Sequence, residues 1–211
     1  MTEVETLLES HDQTRYQRGF ADLIREHKPD IVVETGVNVG TSTLFILKAL
    51  DDNGKGKLYS VDPTPCISIE HPRWELVKKL SIDALPEIYR KTGPWDVFLH
   101  DSDHSVGCMT LEFEMAWDFV KPGGIIASDD YTWHDHHAWP NFIRRKSATT
   151  PIDILGGCQY TIRNGAYKEN LNPEETLKSA ILLANEACTK FGVQPYYPRC
   201  HDDPKYLLNV G

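Results

Sequence analysis

The chain has 211 residues, the length of one α/β domain, and its 40% hydrophobic and 25% charged residues predict a packed core rather than disorder. A net charge of −9 without a long basic run argues against nucleic acid as the main partner, because phosphate binding needs clustered Lys and Arg. No apolar run reaches the ~18–20 residues that span a bilayer, and the acidic segment 1–9 does not resemble a signal peptide, so we expect no membrane association.

Hydrophobic periodicity predicts helices and strands that alternate along the first two thirds of the chain. In chain order they are a helix at 13–27, a strand at 31–33, a helix at 41–50, strands at Lys57–Val61 and Trp74–Val77, a helix at 82–90, a strand at Trp95–His100, a helix at 111–120 and a strand at 125–128. This alternation predicts an α/β fold with a doubly wound, mostly parallel sheet.

The last third of the chain breaks the alternation. Segments 152–155 and Cys158–Ile162 flank two glycines, which predicts a C-terminal hairpin. A helix is expected from Pro173 to about residue 191, because proline and acidic residues favour a helix start, and a tail follows it. We therefore expect a single domain over 1–211, with a core at 30–163 and extra terminal helices.

Cysteine content indicates the cellular compartment. The five cysteines are an odd number and show no CxxC spacing, so neither a disulfide framework nor a structural zinc site is expected, and a reducing cytoplasm fits best. They are Cys66, Cys108, Cys158, Cys188 and Cys200.

Ligands of doubly wound sheets bind at the carboxyl ends of the strands, so the residues there are the first candidates. Gly36 and Gly40 follow the first strand and allow a tight turn and a close approach to a ligand. Their spacing is not the G-x-G-x-x-G fingerprint, which argues against NAD or FAD. Asp62 follows the second strand, where a carboxylate can accept hydrogen bonds from ribose hydroxyls. Together they favour a nucleoside ligand over plain turn and loop residues.

Four ordered motifs carry a resemblance to a known family. They are E-T-G-V-N-V-G-T-S at 34–42, S-I-D-A-L-P at 81–86, D-V-F-L-H-D-S-D-H at 96–104 and G-G-I-I-A-S-D-D-Y at 123–131. Over 30–163 the chain resembles class I S-adenosylmethionine (SAM)-dependent methyltransferases, which have a Rossmann-like fold. The branch it resembles holds the catechol and caffeoyl-CoA O-methyltransferases, together with small bacterial relatives and the cephalosporin hydroxylase-like proteins.

The resemblance implies a set of residues that bind SAM. Glu34, Gly36 and Ser42 would hold its methionine end, Asp62 its ribose, and Ser81 or Asp83 would lie near its adenine. The complete set of cofactor-binding candidates is Glu34, Gly36, Asn38, Gly40, Thr41, Ser42, Asp62, Ser81 and Asp83.

Three carboxylates at the ends of two strands predict a cation site. Asp101, Asp129 and Asp130 would repel one another at one sheet edge unless a hard cation such as Mg²⁺ or Ca²⁺ lay among them. The other interpretation is a helix cap and a turn. In the resembling O-methyltransferases two acids and an Asn at these positions bind a divalent cation, so Asp130 replaces the Asn here, and Mg²⁺ is the expected metal.

His104 and Asp101 are the catalytic candidates. The resembling enzymes commonly carry, three residues after the Asp101 position, a lysine that deprotonates the substrate hydroxyl. A histidine at that position can act as the base without burial, because its ordinary pKa is ~6.5. The alternatives for His104 are a helix cap and a contact with the SAM adenine.

A second cluster follows the carboxylates as W-H-D-H-H at 133–137. Two histidines and a carboxylate occur in non-haem iron oxygenases, but those enzymes are generally all-β, which the alternating pattern contradicts. We interpret the segment as a loop over the substrate, with Trp133, His136 and Trp139 as its walls, or as a plain surface loop.

These observations favour a SAM-dependent O-methyltransferase that uses a divalent metal and a small hydroxylated acceptor. The alternatives are a metal-dependent hydroxylase of the cephalosporin hydroxylase-like type and a non-catalytic SAM- or nucleoside-binding protein. A homo-oligomer is a further expectation, because apolar residues of the tail could bury against a partner. They are Tyr196, Tyr197, Leu207 and Leu208.

Overall fold

The computed structural model describes residues 2–9, 16–131, 137–154 and 157–193. The helices are α1 Glu3–Glu9, α2 Gln17–His27, α3 Thr41–Asn53, α4 Ser81–Thr92, α5 Val106–Phe119, α6 Ala138–Lys146 and α7 Pro173–Lys190. The strands are β1 Ile31–Thr35, β2 Lys57–Val61, β3 Trp74–Val77, β4 Trp95–His100, β5 Val120–Ser128, β6 Ile152–Ile154 and β7 Cys158–Ile162.

Seven strands form one sheet in the order β3-β2-β1-β4-β5-β7-β6. The first five strands pair in parallel, and β7 is antiparallel to both β5 and β6. The predicted mostly parallel sheet and C-terminal hairpin are therefore confirmed. Strand order reverses between β1 and β4, and this is the place where doubly wound sheets bind ligands.

Helices cover both faces of the sheet. Val33 and Phe98 point into a core shared with α4, α5 and α7, whereas Val32 and Val97 point into a core shared with α2 and α3. Because successive strand residues face opposite sides, strands covered on both sides need continuous apolar runs. This explains why the short β-branched run in β1 is apolar at every position.

Two helices with N-terminal caps differ from the sequence predictions. α1 was not predicted, although Thr2 and Glu5 form a capping box, with Thr2 Oγ1 accepting from Glu5 N at 3.2 Å and Glu5 Oε2 from Thr2 N at 2.9 Å. α5 begins at Val106 instead of 111, because Ser105 caps it by accepting from Cys108 N at 3.4 Å.

α6 occupies part of the segment that we interpreted as a substrate-covering loop. Trp139 and Phe142, at helical spacing, are fully buried, and the Trp139 ring lies 5.0 Å from that of Phe113 on α5. Pro140 is tolerated because it falls in the first turn. Packing against α5 thus stabilises a helix that contains Pro140 and Asn141 near its start.

None of the helices in the described parts of the chain has both the length and the apolar character needed to cross a membrane.

Candidate functional site

The loop after β1 crosses directly over the end of β4. Gly36 and Gly40 have φ of 83° and 85°, and Asn38 between them has φ of 48°. A Cβ on Gly36 would lie 1.8 Å from the carbonyl oxygen of Asp101, so only glycine permits this approach. Gly40 precedes the first turn of α3, where a Cβ would meet the side chain of Ile67 at 2.6 Å.

Asp62 ties this loop to the end of β2. Its Oδ2 accepts hydrogen bonds from Val37 N at 2.9 Å and Asn38 N at 3.0 Å, and its Oδ1 accepts from Thr64 N at 2.7 Å. The sequence predicts that this carboxylate accepts hydrogen bonds from ribose hydroxyls of the ligand, and that role stays a prediction. The structure adds a second role, since the carboxylate fixes the shape of the glycine loop.

Glu34 lies beneath the loop and is fully buried. Its Oε2 accepts from Thr43 Oγ1 and Ser60 Oγ, both at 2.7 Å, whereas its Oε1 is buried with no hydrogen-bond partner. Burial raises the pKa of Glu34, and the neighbouring hydroxyls oppose this effect only in part. The candidates Thr41 and Ser42 form the first turn of α3 above it.

The two adenine candidates occupy the first turn of α4. Ser81 is buried, and its hydroxyl helps to keep the pKa of Glu112 below its usual value, whereas Asp83 is half-buried. The adenine contact of either residue stays a prediction.

Asp101 and Asp129 meet where β4 and β5 end. Asp129 N donates to the carbonyl of His100 at 2.9 Å, which extends the ladder between the strands and sets the two carboxyl groups side by side. Burial and the neighbouring Asp129 raise the pKa of Asp101 well above its usual range. Burial and the charge of Asp130 raise the pKa of Asp129 to about 6. Asp129 Oδ1 is buried without a hydrogen-bond partner.

Tyr16 binds to this acidic pair through a hydrogen bond and was not predicted as a site residue. It is buried just before α2, and its hydroxyl donates to Asp101 Oδ2 at 2.8 Å. Nothing in the local sequence signalled this contact, since Tyr16 fits the apolar stripe of an amphipathic helix and Asp101 lies 85 residues further along the chain.

The acidic pair fits a cation in charge and in donor type, since the half-buried carboxylate of Asp101 and the buried carboxylate of Asp129, with its unpartnered Oδ1, are suitable ligands for a hard metal. The structure brings together two of the three predicted ligands, while Asp130 has a left-handed backbone with φ of 45°. Within the described ranges, no three His, Cys, Asp or Glu side chains are arranged to hold a metal. The three-carboxylate site stays a prediction.

His104 lies between the end of β4 and the start of α5. It is half-buried, and its ring centroid is 5.1 Å from that of His100. The role of helix cap is filled by Ser105. His104 lies at the same strand end as Asp101, and its role as the base stays a prediction.

The predicted substrate loop comprised the W-H-D-H-H segment and Trp139, and the structure describes only part of it. Trp133, His134, Asp135 and His136 lie outside the described residues. Trp139 was expected to line the substrate loop, and this was wrong, because the side chain is fully buried and its Nε1 donates to Gln159 Oε1 at 2.9 Å.

We expect Tyr16→Phe to lower the free energy of unfolding by about 1–3 kcal/mol at pH 7.5, because it removes a donor from a buried carboxyl group. Urea denaturation measures the change. Tyr131→Phe is the control, since that hydroxyl donates to the exposed Asp153, and it should change stability by less than about 0.5 kcal/mol. Equal effects of the two substitutions would contradict a special role for Tyr16.

Comparison with protein families finds one match. A family profile described as "Methyltransferase domain" matches residues 33–131, which contain the glycine loop, Asp62 and both members of the acidic pair. No curated protein matches the chain significantly.

Solved structures with the same fold include two methyltransferases. The MycE methyltransferase of the mycinamycin biosynthetic pathway, in complex with Mg, S-adenosylhomocysteine (SAH) and mycinamycin VI, has a TM-score of 0.55 and 17% identity over 73% of this chain. This chain spans only 50% of MycE. An O-methyltransferase from Bacillus cereus in complex with SAH has a TM-score of 0.54 and 20% identity over 76% of this chain and 89% of its own. The chain is therefore similar to a methyltransferase domain over residues 33–131, and it shares its fold with solved methyltransferases.

Proposed function

We propose that the protein transfers the methyl group of SAM to a hydroxyl of a small molecule with the help of a divalent cation, Mg²⁺ being the expected ion. The observation that carries the proposal is the pair formed by half-buried Asp101 and buried Asp129, which lies beneath the glycine loop at the edge where the strand order reverses. The MycE and Bacillus cereus structures support the cofactor, and MycE also supports the metal.

The residues of the chain would divide the chemistry among them. When bound, SAM supplies an electrophilic methyl group and Mg²⁺ polarises the acceptor oxygen. The glycine loop, fixed by Asp62, binds and orients the cofactor, and the acidic pair with Asp130 holds the cation. His104 accepts the hydroxyl proton on a ring nitrogen. Alignment of the acceptor oxygen with the methyl group supplies much of the acceleration.

Calorimetric titration with SAM and with SAH, first in EDTA and then in Mg²⁺, tests the cofactor assignment. We expect saturable binding by the unmodified chain and at least a tenfold weaker affinity in Asp62→Ala, about 1.4 kcal/mol, because that change releases the glycine loop. Asp22→Ala is the control, since Asp22 pairs with Arg25 on the exposed side of α2. It should bind as the unmodified chain does.

Absence of binding in both buffers would refute the methyltransferase proposal and move the search to redox metals and oxygen. Once an acceptor is found, its product distinguishes the hypotheses, since a methylated, a hydroxylated or an unchanged molecule corresponds to a transferase, a hydroxylase or a binding protein. A small-molecule acceptor, a homo-oligomer and a cytoplasmic location are parts of the proposal that rest on the sequence alone.

A further inference from the structure

A second polar cluster lies on the opposite face of the sheet from the acidic pair. Its centre is Glu112 of α5, which is fully buried. The Glu112 carboxylate accepts hydrogen bonds from Thr35 Oγ1 at 2.6 Å, His100 Nδ1 at 2.7 Å and Ser102 Oγ at 2.9 Å. One carboxylate thus joins α5 to the ends of β1 and β4, which carry the glycine loop and Asp101.

Electrostatics favour the ionised form of Glu112. Burial acts to raise the pKa of Glu112, but the His100 ring and the surrounding hydroxyls outweigh it and leave the pKa below its usual value. An ionised carboxylate only accepts hydrogen bonds, so His100 Nδ1 carries the proton of the shared bond. Glu112 therefore fixes which ring nitrogen of His100 points away from α5.

The other nitrogen of His100 is unused. The side chain is fully buried, and Nε2 has no hydrogen-bond partner. Phe113 packs edge-on against the ring at 5.0 Å, and His104 packs against it at 5.1 Å with an interplanar angle of 71°. A buried ring nitrogen without a partner is costly, and the bond to Glu112 holds the ring in this position all the same.

We propose that Glu112 and His100 are positioning residues that hold the imidazole of His104 at the end of β4. This inference rests on the proposed function, because the purpose of the arrangement is to orient the candidate base. The chain of contacts runs from the Glu112 carboxylate through the His100 ring to the His104 ring, all within one strand end and the adjoining helix. Removal of a group that orients a metal-binding histidine commonly changes activity by about 10–100-fold, and we expect an effect of this size here.

Glu114 offers a matched control on the same helix. It is also buried, but its carboxylate pairs with Arg145 and Lys146 of α6, with Arg145 Nε donating at 2.9 Å. Glu114→Gln removes a buried negative charge two residues from Glu112 without touching the His100 contact. It therefore reports the cost of losing a buried charge on α5.

The direct test is long-range ¹H–¹⁵N correlation spectroscopy of the histidine rings in the full chain, with the His104 signals assigned by their loss in His104→Gln. We expect Glu112→Gln to shift the ring signals of both His100 and His104, whereas Glu114→Gln leaves both unchanged. A change confined to His100, or the same change in both variants, would overturn the proposal.

His100→Gln is the second variant, because its amide can still donate to Glu112 and so preserves the fold if Glu112→Gln does not. We expect it to move the His104 signals as well. With an acceptor in hand, both variants should lower kcat about 10–100-fold, and His100→Gln should leave the KM for SAM unchanged. Unmoved His104 signals in His100→Gln, or an unchanged kcat in both variants, would reject the positioning role.

The spectra require neither cofactor nor turnover. They therefore separate failure of this inference from failure of the proposed function. If the unmodified chain did not bind SAM, the ring signals would still show whether Glu112 and His100 position His104. Conversely, insensitivity of His104 to Glu112→Gln would leave the methyltransferase assignment intact.

Discussion

Gly36→Ala is expected to destabilise the fold by about 2–5 kcal/mol and to abolish SAM binding. An alanine at this position would have to adopt the left-handed backbone conformation of Gly36, with φ of 83°. Its Cβ would lie 1.8 Å from the carbonyl oxygen of Asp101. Neither the loop nor the strand end can move at low cost, because the contact is with backbone atoms. Urea denaturation measures the first effect and calorimetry with SAM the second.

Gly54→Ala separates the clash from the backbone strain. Gly54 has a similar φ of 68° at the end of α3, but a Cβ there would meet nothing within 4 Å. The substitution should lower the free energy of unfolding by about 1–2 kcal/mol, the strain of a left-handed backbone at alanine, and leave SAM binding unchanged. If Gly36→Ala cost no more than Gly54→Ala, the close approach of the loop to β4 would be unimportant for stability.

Asp129→Asn is expected to stabilise the metal-free protein at pH 7.5 and to remove its response to Mg²⁺. The pKa of Asp129 is raised to about 6, so at pH 7.5 the carboxyl group is ionised in the native state, although its surroundings destabilise the ionised form. Replacement by an amide removes that cost. The unmodified chain should instead gain about 3 kcal/mol from Mg²⁺ at 100 times its dissociation constant.

The pH dependence has a definite sign. Between the ordinary carboxyl pKa of about 3.9 and the native pKa of about 6, the native state binds the Asp129 proton more tightly than the unfolded state does. The stabilisation from this proton is complete below about pH 4 and disappears as the pH rises through about 6. The stability advantage of Asp129→Asn should therefore grow by about 3 kcal/mol over that range.

The difference between the two proteins is the proper measurement, because other carboxyl groups respond in the opposite sense. Glu75, for example, has a pKa lowered by its hydrogen bonds to Lys91 and Lys57, which outweigh its burial, and it loses stabilisation as the pH falls. A difference that stays flat from pH 4 to 7, or an Asp129→Asn variant that still responds to Mg²⁺, would refute the role given to Asp129.

The sheet and the convergence of Asp101 with Asp129 could be predicted because both follow from local patterns. Short β-branched runs mark buried parallel strands, and the ends of such strands meet at one edge. The strands β2, β3, β4 and β7 have the predicted bounds. Helix bounds were less accurate where a cap such as Ser105, rather than an apolar stripe, determines the first residue.

Contacts between distant parts of the chain could not be predicted in this way. Tyr16 reaches Asp101 only because α2 packs beside the end of β4, and Trp139 is buried only because α6 packs on α5. Glu112 did leave a signal, since it and Glu114 are charges within an apolar stretch of α5, but its partners on β1 and β4 are fixed by tertiary structure. Asp62 was recognised as a site residue, yet its hold on the loop amides depends on a fold that the motif does not specify.

The alternation of side chains at the end of β4 determines which residues of the site can be substituted independently. His100 contacts Glu112 beside α5, whereas the next residue, Asp101, contacts Tyr16 beside α2. Consecutive residues of an extended chain point to opposite faces, so the two clusters pack against different helices. Selection or engineering can therefore alter the surroundings of the imidazoles while the carboxylates keep theirs. A deletion of one residue within β4 would instead exchange the two faces and destroy both clusters at once.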